Sequence, residues 1–534
     1  GRFIPWYGMN TDAEWYNSSQ NSGANSDLVT YNASPSNSNM NSTNNAWAKM
    51  YEGIERANIC IRGLRTYGNP EPGTELGYLL GEALTLRAVY YSDLVKAWGD
   101  VPARFEPIST ETIYLAKSDR DTIYKQLLVD LEEAATLVPW PNTTNATSSV
   151  ERVNKAFVKG LRARIALAAG GFSQRPDGIR KSNDPDLATE EMYALALLEC
   201  VDVINSGSAK LEPIFETVFK KNNMDNIAAG GETLWEIPFA DGRGRVVFTF
   251  GIRHRSADKY TAQPRGGQAG PTPNMFYDYD LADTRRDVTC IPYEWVSVQD
   301  PTTAQQGLLS LDTWYFGKYR YEWIAENRRV TSTNDDGVNK LYMRYAEIIL
   351  MAAEAANELQ GPAAAAPYLK MIRQRAFPES EWASKVDAFL NGLTTKEAMF
   401  DAIVDEHRFE FTGEMIRKEA LIRWNLLKDK LDEAKAKMYE LRARTGEYAD
   451  VPEKLYYSYA EDGESLVIYG LNRGENEDKS TVYEFNTTWV EPEELEDTKI
   501  ESIYARNPNE YQYWPIWQVF LDASNGQLTN DYGY

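Results

Sequence analysis

A mainly α-helical fold, with helix pairs framing a loop-rich centre that holds a few short strands, is predicted by three observations. Apolar residues recur at helical spacing over most of residues 45–206 and again over 341–430. The intervening stretch, 207–340, loses that period and gains Gly, Pro, Trp and Tyr. The ends of the periodic stretches carry helix stop signals, such as Gly99 and Pro102 after Trp98.

Residues 8–46 read as loop, because Asn and Ser dominate there and compete with regular backbone bonding. Trp15, Tyr16 and Tyr31 stand among them. The first helix covers about 45–66, with Trp47, Met50, Tyr51, Ile54, Ala57, Asn58, Ile61 and Leu64 on one stripe. The second runs over 76–98, with Leu76, Leu80, Ala83, Tyr90, Leu94 and Trp98 on its apolar face. Arg87 lies in that face. A guanidinium keeps its charge when buried, so it must find an acid or main-chain carbonyls elsewhere in the scaffold. Glu347 and Glu354 of a later helix are the suggested partners. Further helices are expected at 119–138, 154–171 and 189–206, the fourth rich in small residues that allow close packing. No clean repeat of about 34 residues emerges.

In the central stretch, 234–239 and 245–252 have the β-branched and aromatic content of strands, and 314–323 nearly alternates. Helices return at 341–359, 363–376, 396–411 and 414–428. Residues 440–500 look irregular and charged. The whole is read as one domain over 1–534, divided into a helical part 45–206, a loop-rich part 207–340, C-terminal helices 341–430 and an irregular part 431–534.

Several strings resemble the SusD/RagB family: GEALTLRAVYYSDLVKAWGDVP (81–102), NAWAKMYEGIERANICI (45–61), PTPNMFYDYDLADTRRD (271–287), LYMRYAEIILMAAEAANEL (341–359) and the tail from 504 to 534. They occur in family order over about 45–534. The chain departs from the pattern at His407, where Arg is usual, after Glu414, where Gly is usual, and at Ala420-Leu421, Trp517 and Asp531. The ion pairs of the helix pair near 410 are therefore expected to differ. The resemblance implies a SusD-like fold of degenerate TPR-like helix pairs. It implies a lipoprotein on the outer face of the outer membrane that binds oligosaccharide and delivers it to a SusC-like TonB-dependent transporter. Gly1-Arg2-Phe3 enters the family pattern partway in, so a signal peptide and lipid anchor are expected outside this sequence. A RagB-like binder of peptide is the alternative, and a glycoside hydrolase a further one.

Composition narrows the classes of partner. A net charge of −23 disfavours nucleic acid and anionic membrane as partners, and no apolar run reaches the length of a membrane span. Cys60, Cys200 and Cys290 form no C-x-x-C, and the first two are expected to be buried thiols. Nucleophile-elbow, P-loop, zincin and dinucleotide-binding motifs are missing, so no catalytic residue and no cofactor is expected. His254 and His407 are too few and too far apart for a histidine metal site, and His407 reads as a surface or packing residue. Asp278, Asp280 and Asp283 have oxygen chemistry that suits Ca²⁺, but Arg285 and Arg286 beside them favour a salt-bridged turn. Glu406, Glu410 and Glu414 follow one another at helical spacing and read as helix-surface ion pairs rather than a hydrolytic carboxylate pair. Arg243, Arg245, Arg253, His254 and Arg255 form a basic run, suited to an acidic glycan or to the chain's own excess of acids. Sugar rings stack on aromatic faces while their hydroxyls need polar partners. The expected ligand contacts are therefore Trp15, Tyr16 and Asn17 from loop 12–45, and Trp295, Trp314 and Tyr315 from loop 258–323.

Overall fold

The structure is a computed structural model that describes residues 3–329, 335–491 and 493–534. Five long helices dominate the described residues of the N-terminal half: α1 (Ala46–Tyr67), α2 (Glu75–Trp98), α3 (Arg120–Leu137), α4 (Lys155–Gly170) and α5 (Thr189–Ser206). After the loop-rich centre come α6 (Tyr345–Gln360), α7 (Pro362–Ala376), α8 (Lys396–Phe411) and α9 (Leu427–Ala443). Each helix from α1 to α7 packs on the next in sequence, and α8 packs on α6. The contact of α5 with α6 closes one continuous helical array across the central stretch, which loops out between them. Helix starts follow the sequence signals: Asn45, Thr74, Asn154 and Thr395 each accept a backbone N–H from the first turn. Gly99 ends α2 with a φ of 73°, as the Gly-Asp-Val-Pro exit requires. No helix among the described residues is long and apolar enough to cross a membrane.

Arg87 is buried and joins four segments. Its guanidinium donates to Asp130 of α3 at 2.6 and 3.1 Å, to Asn58 Oδ1 of α1 at 2.8 Å and to the Phe105 carbonyl at 3.0 Å. The expected pairing with an acid and carbonyls holds, but the suggested partners are corrected. Glu347 binds Arg164 and Glu354 binds Arg423, because α6 packs on α4, α5 and α7 while α2 lies between α1 and α3.

The centre and C-terminus differ from expectation in four places. Residues 245–252 form a short helix, Val246–Phe250, rather than a strand. The Asp336 carboxylate accepts the Phe248 N–H at 3.1 Å, so a residue far along the chain caps a segment whose valines prefer strands. The 414–428 helix is broken: a short helix Arg417–Arg423 ends before α9 starts. Only Tyr315–Phe316 of 314–323 is extended into a strand. Within 440–500, strands β7 (Lys454–Tyr459), β8 (Leu466–Tyr469) and β9 (Phe485–Thr488) form an antiparallel sheet with β7 in the middle. The remaining strands used below are β1 (Glu14–Tyr16), β2 (Thr233–Ile237), β3 (Ala269–Pro271), β4 (Tyr293–Trp295), β5 (Gln306–Leu308) and β6 (Lys340–Arg344). They pair as β1–β3, β2–β6 and β4–β5. Cys200 is buried as expected, whereas Cys60 is exposed on α1.

Glu406, Glu410 and Glu414 are buried, not surface residues. They face Arg285, Arg344, Arg373 and Lys318. Burial alone would raise the Glu410 pKa, but Arg375, Arg344 and Arg285 outweigh it and hold the carboxyl well below its ordinary range. Elsewhere burial wins: Glu14 is pushed up to about 8, and Glu236 and Asp336 to about 7. His407 is packed between Phe411 and Trp424, and burial keeps it uncharged.

Two predictions follow from these groups. Asp130→Ala leaves the Arg87 charge buried without its anion and is expected to cost about 3–5 kcal/mol, read as a lowered denaturant midpoint. An unchanged midpoint would refute the role given to the pair. Stability also has an acidic optimum. A carboxyl held low stabilises the fold above its unfolded pKa, and that contribution disappears as pH falls through the folded value. A carboxyl pushed up contributes in the other sense, and its contribution is lost as pH rises from the unfolded value towards 7 or 8. Glu14, Glu236 and Asp336 therefore lower stability from mildly acidic to neutral pH, and His407 opposes them below the ordinary histidine value of 6.5. The melting temperature should peak near about pH 5, drop steeply below about pH 4 and decline towards pH 7. Glu14→Gln should flatten that decline.

Candidate functional site

The predicted ligand contacts are brought together, but mostly as core. In β1, Trp15 lies opposite Gly270 of β3. A side chain at Gly270 would meet the Trp314 carbonyl at 1.8 Å, so this close approach needs glycine. Asn17 Nδ2 donates to that carbonyl at 3.2 Å, which links the first loop to the second. Trp15 is fully buried, with the Lys499 ammonium over its ring at 4.3 Å. Trp314 packs on Phe276 and Trp489, and the Tyr315 hydroxyl reaches Glu294. Trp15, Asn17, Trp295, Trp314 and Tyr315 are all buried, and only Tyr16 is partly exposed, edge-on to Trp6. The picture of these side chains as an exposed stacking platform is therefore corrected. The loop-rich part shares a second core with the C-terminal helices and tail, and its large aromatic rings help to fill it.

Trp295 leads outward to a different set of rings. His254 exchanges both backbone hydrogen bonds with Arg265 and pairs in a bridge with Trp295, so it sits between two strand-like segments. Its Nδ1 lies 2.6 Å from Asp258, and its ring stacks on Trp295 with centroids 5.9 Å apart. The Trp295 indole N–H donates to Glu322 at 3.0 Å. One side of Trp295 is thus fixed. Around it stand Tyr260 at 5.1 Å and Tyr293 at 6.0 Å, both half-buried. Half-buried Trp323, next in sequence to Glu322, packs on the Phe215–Phe219 cluster, with the Arg320 guanidinium over its ring at 4.7 Å and Lys220 at 5.5 Å; the Arg320 charge also acts on the Tyr293 hydroxyl. Lys259 and Arg329 lie over Tyr260. Tyr260, Tyr293 and Trp323 were not singled out from the sequence as ligand contacts. They fall within loop 258–323, which the sequence does single out, but nothing in their spacing tells a rim ring from a core ring.

The carboxylates nearby are engaged. Glu294 pairs with Arg255 at 2.8 Å, Asp258 with His254 and Glu322 with Trp295. In the basic run Arg245 pairs with Asp335 as well, which is the pairing with the chain's own acids, while Arg253 donates to the Gly266 carbonyl. Asp278, Asp280 and Asp283 do not converge: they pair with Arg408, Lys385 and Arg285 respectively.

The comparisons with known proteins agree with this architecture. Residues 231–534 match the description "SusD family", and residues 7–167 match "Starch-binding associating with outer membrane". SusD-like protein P25 of Formosa agariphila is 25% identical over 420 residues, 73% of this chain and 71% of that protein. SusD-like protein P2 of the same organism is 25% identical over 397 residues, 70% of this chain and 69% of that protein. Among solved structures, a SusD homolog from Bacteroides thetaiotaomicron superposes with a TM-score of 0.71 at 18% identity, covering 98% of this chain and 91% of that one. Surface glycan-binding protein A from the same species, in complex with laminarihexaose, gives 0.64 at 19% identity, covering 99% of this chain and 93% of that one. With more than half of its length matched by the family and its helical array and looped-out centre shared with these structures, this chain belongs to the SusD family.

Proposed function

We propose that this protein is a non-catalytic binder of oligosaccharide on the outer face of the outer membrane, and that it passes its ligand to a TonB-dependent transporter. The observation that carries the reading is the pair of half-buried rings Tyr260 and Tyr293, backed by the fixed Trp295 and edged by Arg329 and Lys259, with half-buried Trp323 under Arg320 continuing the aromatic surface. Rings of this kind stack on the C–H faces of sugars, and the cationic side chains above them, held in place by the Gly317 and Ile324 carbonyls and by Glu464, bring further N–H donors to the edge of the rings. The engagement of Glu294, Asp258 and Glu322 with cations or an indole leaves no facing acid and base of the kind glycoside hydrolysis requires. The relative with bound laminarihexaose and the family description of starch binding support a glycan ligand. That description also supports outer-membrane association, and the transporter follows from the family resemblance.

Isothermal titration against a panel of soluble polysaccharides, with laminarihexaose included, tests the proposal. Binding without any new reducing sugar is expected. Tyr293→Ala with Trp323→Ala should weaken binding about tenfold or more, since stacking on a ring is worth about 1–3 kcal/mol. The melting temperature of that double variant should stay close to wild type. Release of reducing ends by the pure protein, or full affinity in the double variant, would refute the proposal.

A further inference from the structure

A cavity of about 710 Å³ lies away from the aromatic rim, between α1 and α2 on one side and β2, β6 and the short helix Val246–Phe250 on the other. That size suits a small organic molecule. Its inner wall is apolar: Met50, Val89, Val246 and Phe250 are buried there. Into this wall the β2–β6 ladder brings polar donors. Lys340 stands directly opposite Ile237, and Trp235 lies two residues before Ile237, so the three share one face of the pleat. All three line the cavity.

The donors are under-used. Lys340 is buried, with its ammonium 5.3 Å from the Phe250 ring centre. Among the described residues its only hydrogen bond is a long one, 3.4 Å to the Glu414 carbonyl, and no carboxylate lies within ion-pair distance. The Trp235 indole N–H is buried with no hydrogen-bond partner among the described residues. A buried ammonium and a buried N–H without good acceptors are costly. The acids of the same lining are the reverse. Glu82 is held by Arg152 at 2.7 and 2.8 Å, and Asp93 by Lys96 and the Tyr342 hydroxyl. Glu151 accepts from Asn339 at 2.9 Å. The cavity therefore offers donors and apolar surface but few free acceptors. A sugar, with a hydroxyl on nearly every carbon, finds little there.

We propose that this cavity binds a small carboxylate with an apolar body, its anionic head on Lys340 and Trp235 and its body against Met50, Val89 and Phe250. The head supplies the acceptor that both donors lack, and the body takes the place of water against apolar surface. The site is independent of the oligosaccharide rim.

Titration calorimetry with decanoate and with 4-phenylbutyrate, using 1-octanol as the uncharged control, decides the matter. One equivalent of a carboxylate should bind, and whichever of the two binds more tightly identifies an aliphatic or an aromatic body. Octanol should bind about tenfold more weakly or worse, as should decanoate to Lys340→Met, because a charge-assisted hydrogen bond is lost in each case. Leu86 lines the cavity and is half-exposed. Leu86→Trp fills the space without touching the charged groups, so it should abolish binding with little change in melting temperature, and it serves if Lys340→Met fails to fold. Silence with both carboxylates, equal affinity for octanol, or unchanged binding by Leu86→Trp would overturn the proposal.

Discussion

The structure depends on a buried network of charges where the loop-rich centre meets the C-terminal helices. Arg344, at the end of β6, binds Glu232 at 2.7 Å, Glu410 at 2.5 Å and Glu414 at 2.8 Å. Arg375 of α7 shares Glu232 and Glu410. Arg285, from the central loops, joins Asp283, Glu406 and Glu410, and Lys318 joins Glu414. Arg373 completes the set through Glu406. Each base of this network thus has an acid to match it, in a chain whose overall charge is −23. Against a packed apolar core such a network gains little net energy, and removing any one member strands a charge. Its value lies in specificity. Segments near residues 232, 285, 318, 344, 375 and 410 satisfy one another only in a single arrangement, so the long central excursion returns to the helical array at one place.

The helical array was largely legible in the sequence, and the reasons are local. Asn45, Thr74 and Asn154 cap their helices through bonds within the first turn, and the apolar stripe of α2 spans six turns. The fate of Val246–Phe250 was not legible, because its cap is the carboxylate of Asp336. The same holds for Glu410. Its position on α8 could be read, but the cations that turn it from a surface acid into a buried one come from residues 285, 344 and 375. The three-stranded sheet at 454–488 escaped for another reason. Its strands are short and half-exposed, so neither face carries a strong alternating pattern.

Loops with few aliphatic residues must still build a core, and here Trp15, Trp314, Trp295 and Tyr315 do so. The sequence shows that such rings are abundant in 258–323, and composition alone cannot divide them into filling and rim. The division is made by pairing. β1 against β3 turns Trp15 inward, the Asn17 amide on the Trp314 carbonyl closes the layer, and what remains outside is Tyr260, Tyr293 and Trp323.

That division also explains why one buried ring still matters at the rim. Trp295 has its indole N–H on Glu322, its face on His254 and its backbone bonded to Arg253 and Arg255. His254 in turn is held by Asp258, and its Nε2 lies 4.0 Å from Glu322. Ring, imidazole and two carboxylates therefore brace one another, and Tyr260 and Tyr293 both lean on the braced ring. A sugar-binding surface on loops loses affinity to every conformation its aromatic side chains explore when empty. Tying the rim rings to a buried, hydrogen-bonded tryptophan removes much of that freedom in advance. The polar residues around His254 are thus best understood as the support of a binding surface, and their burial is what allows flexible loops to present it.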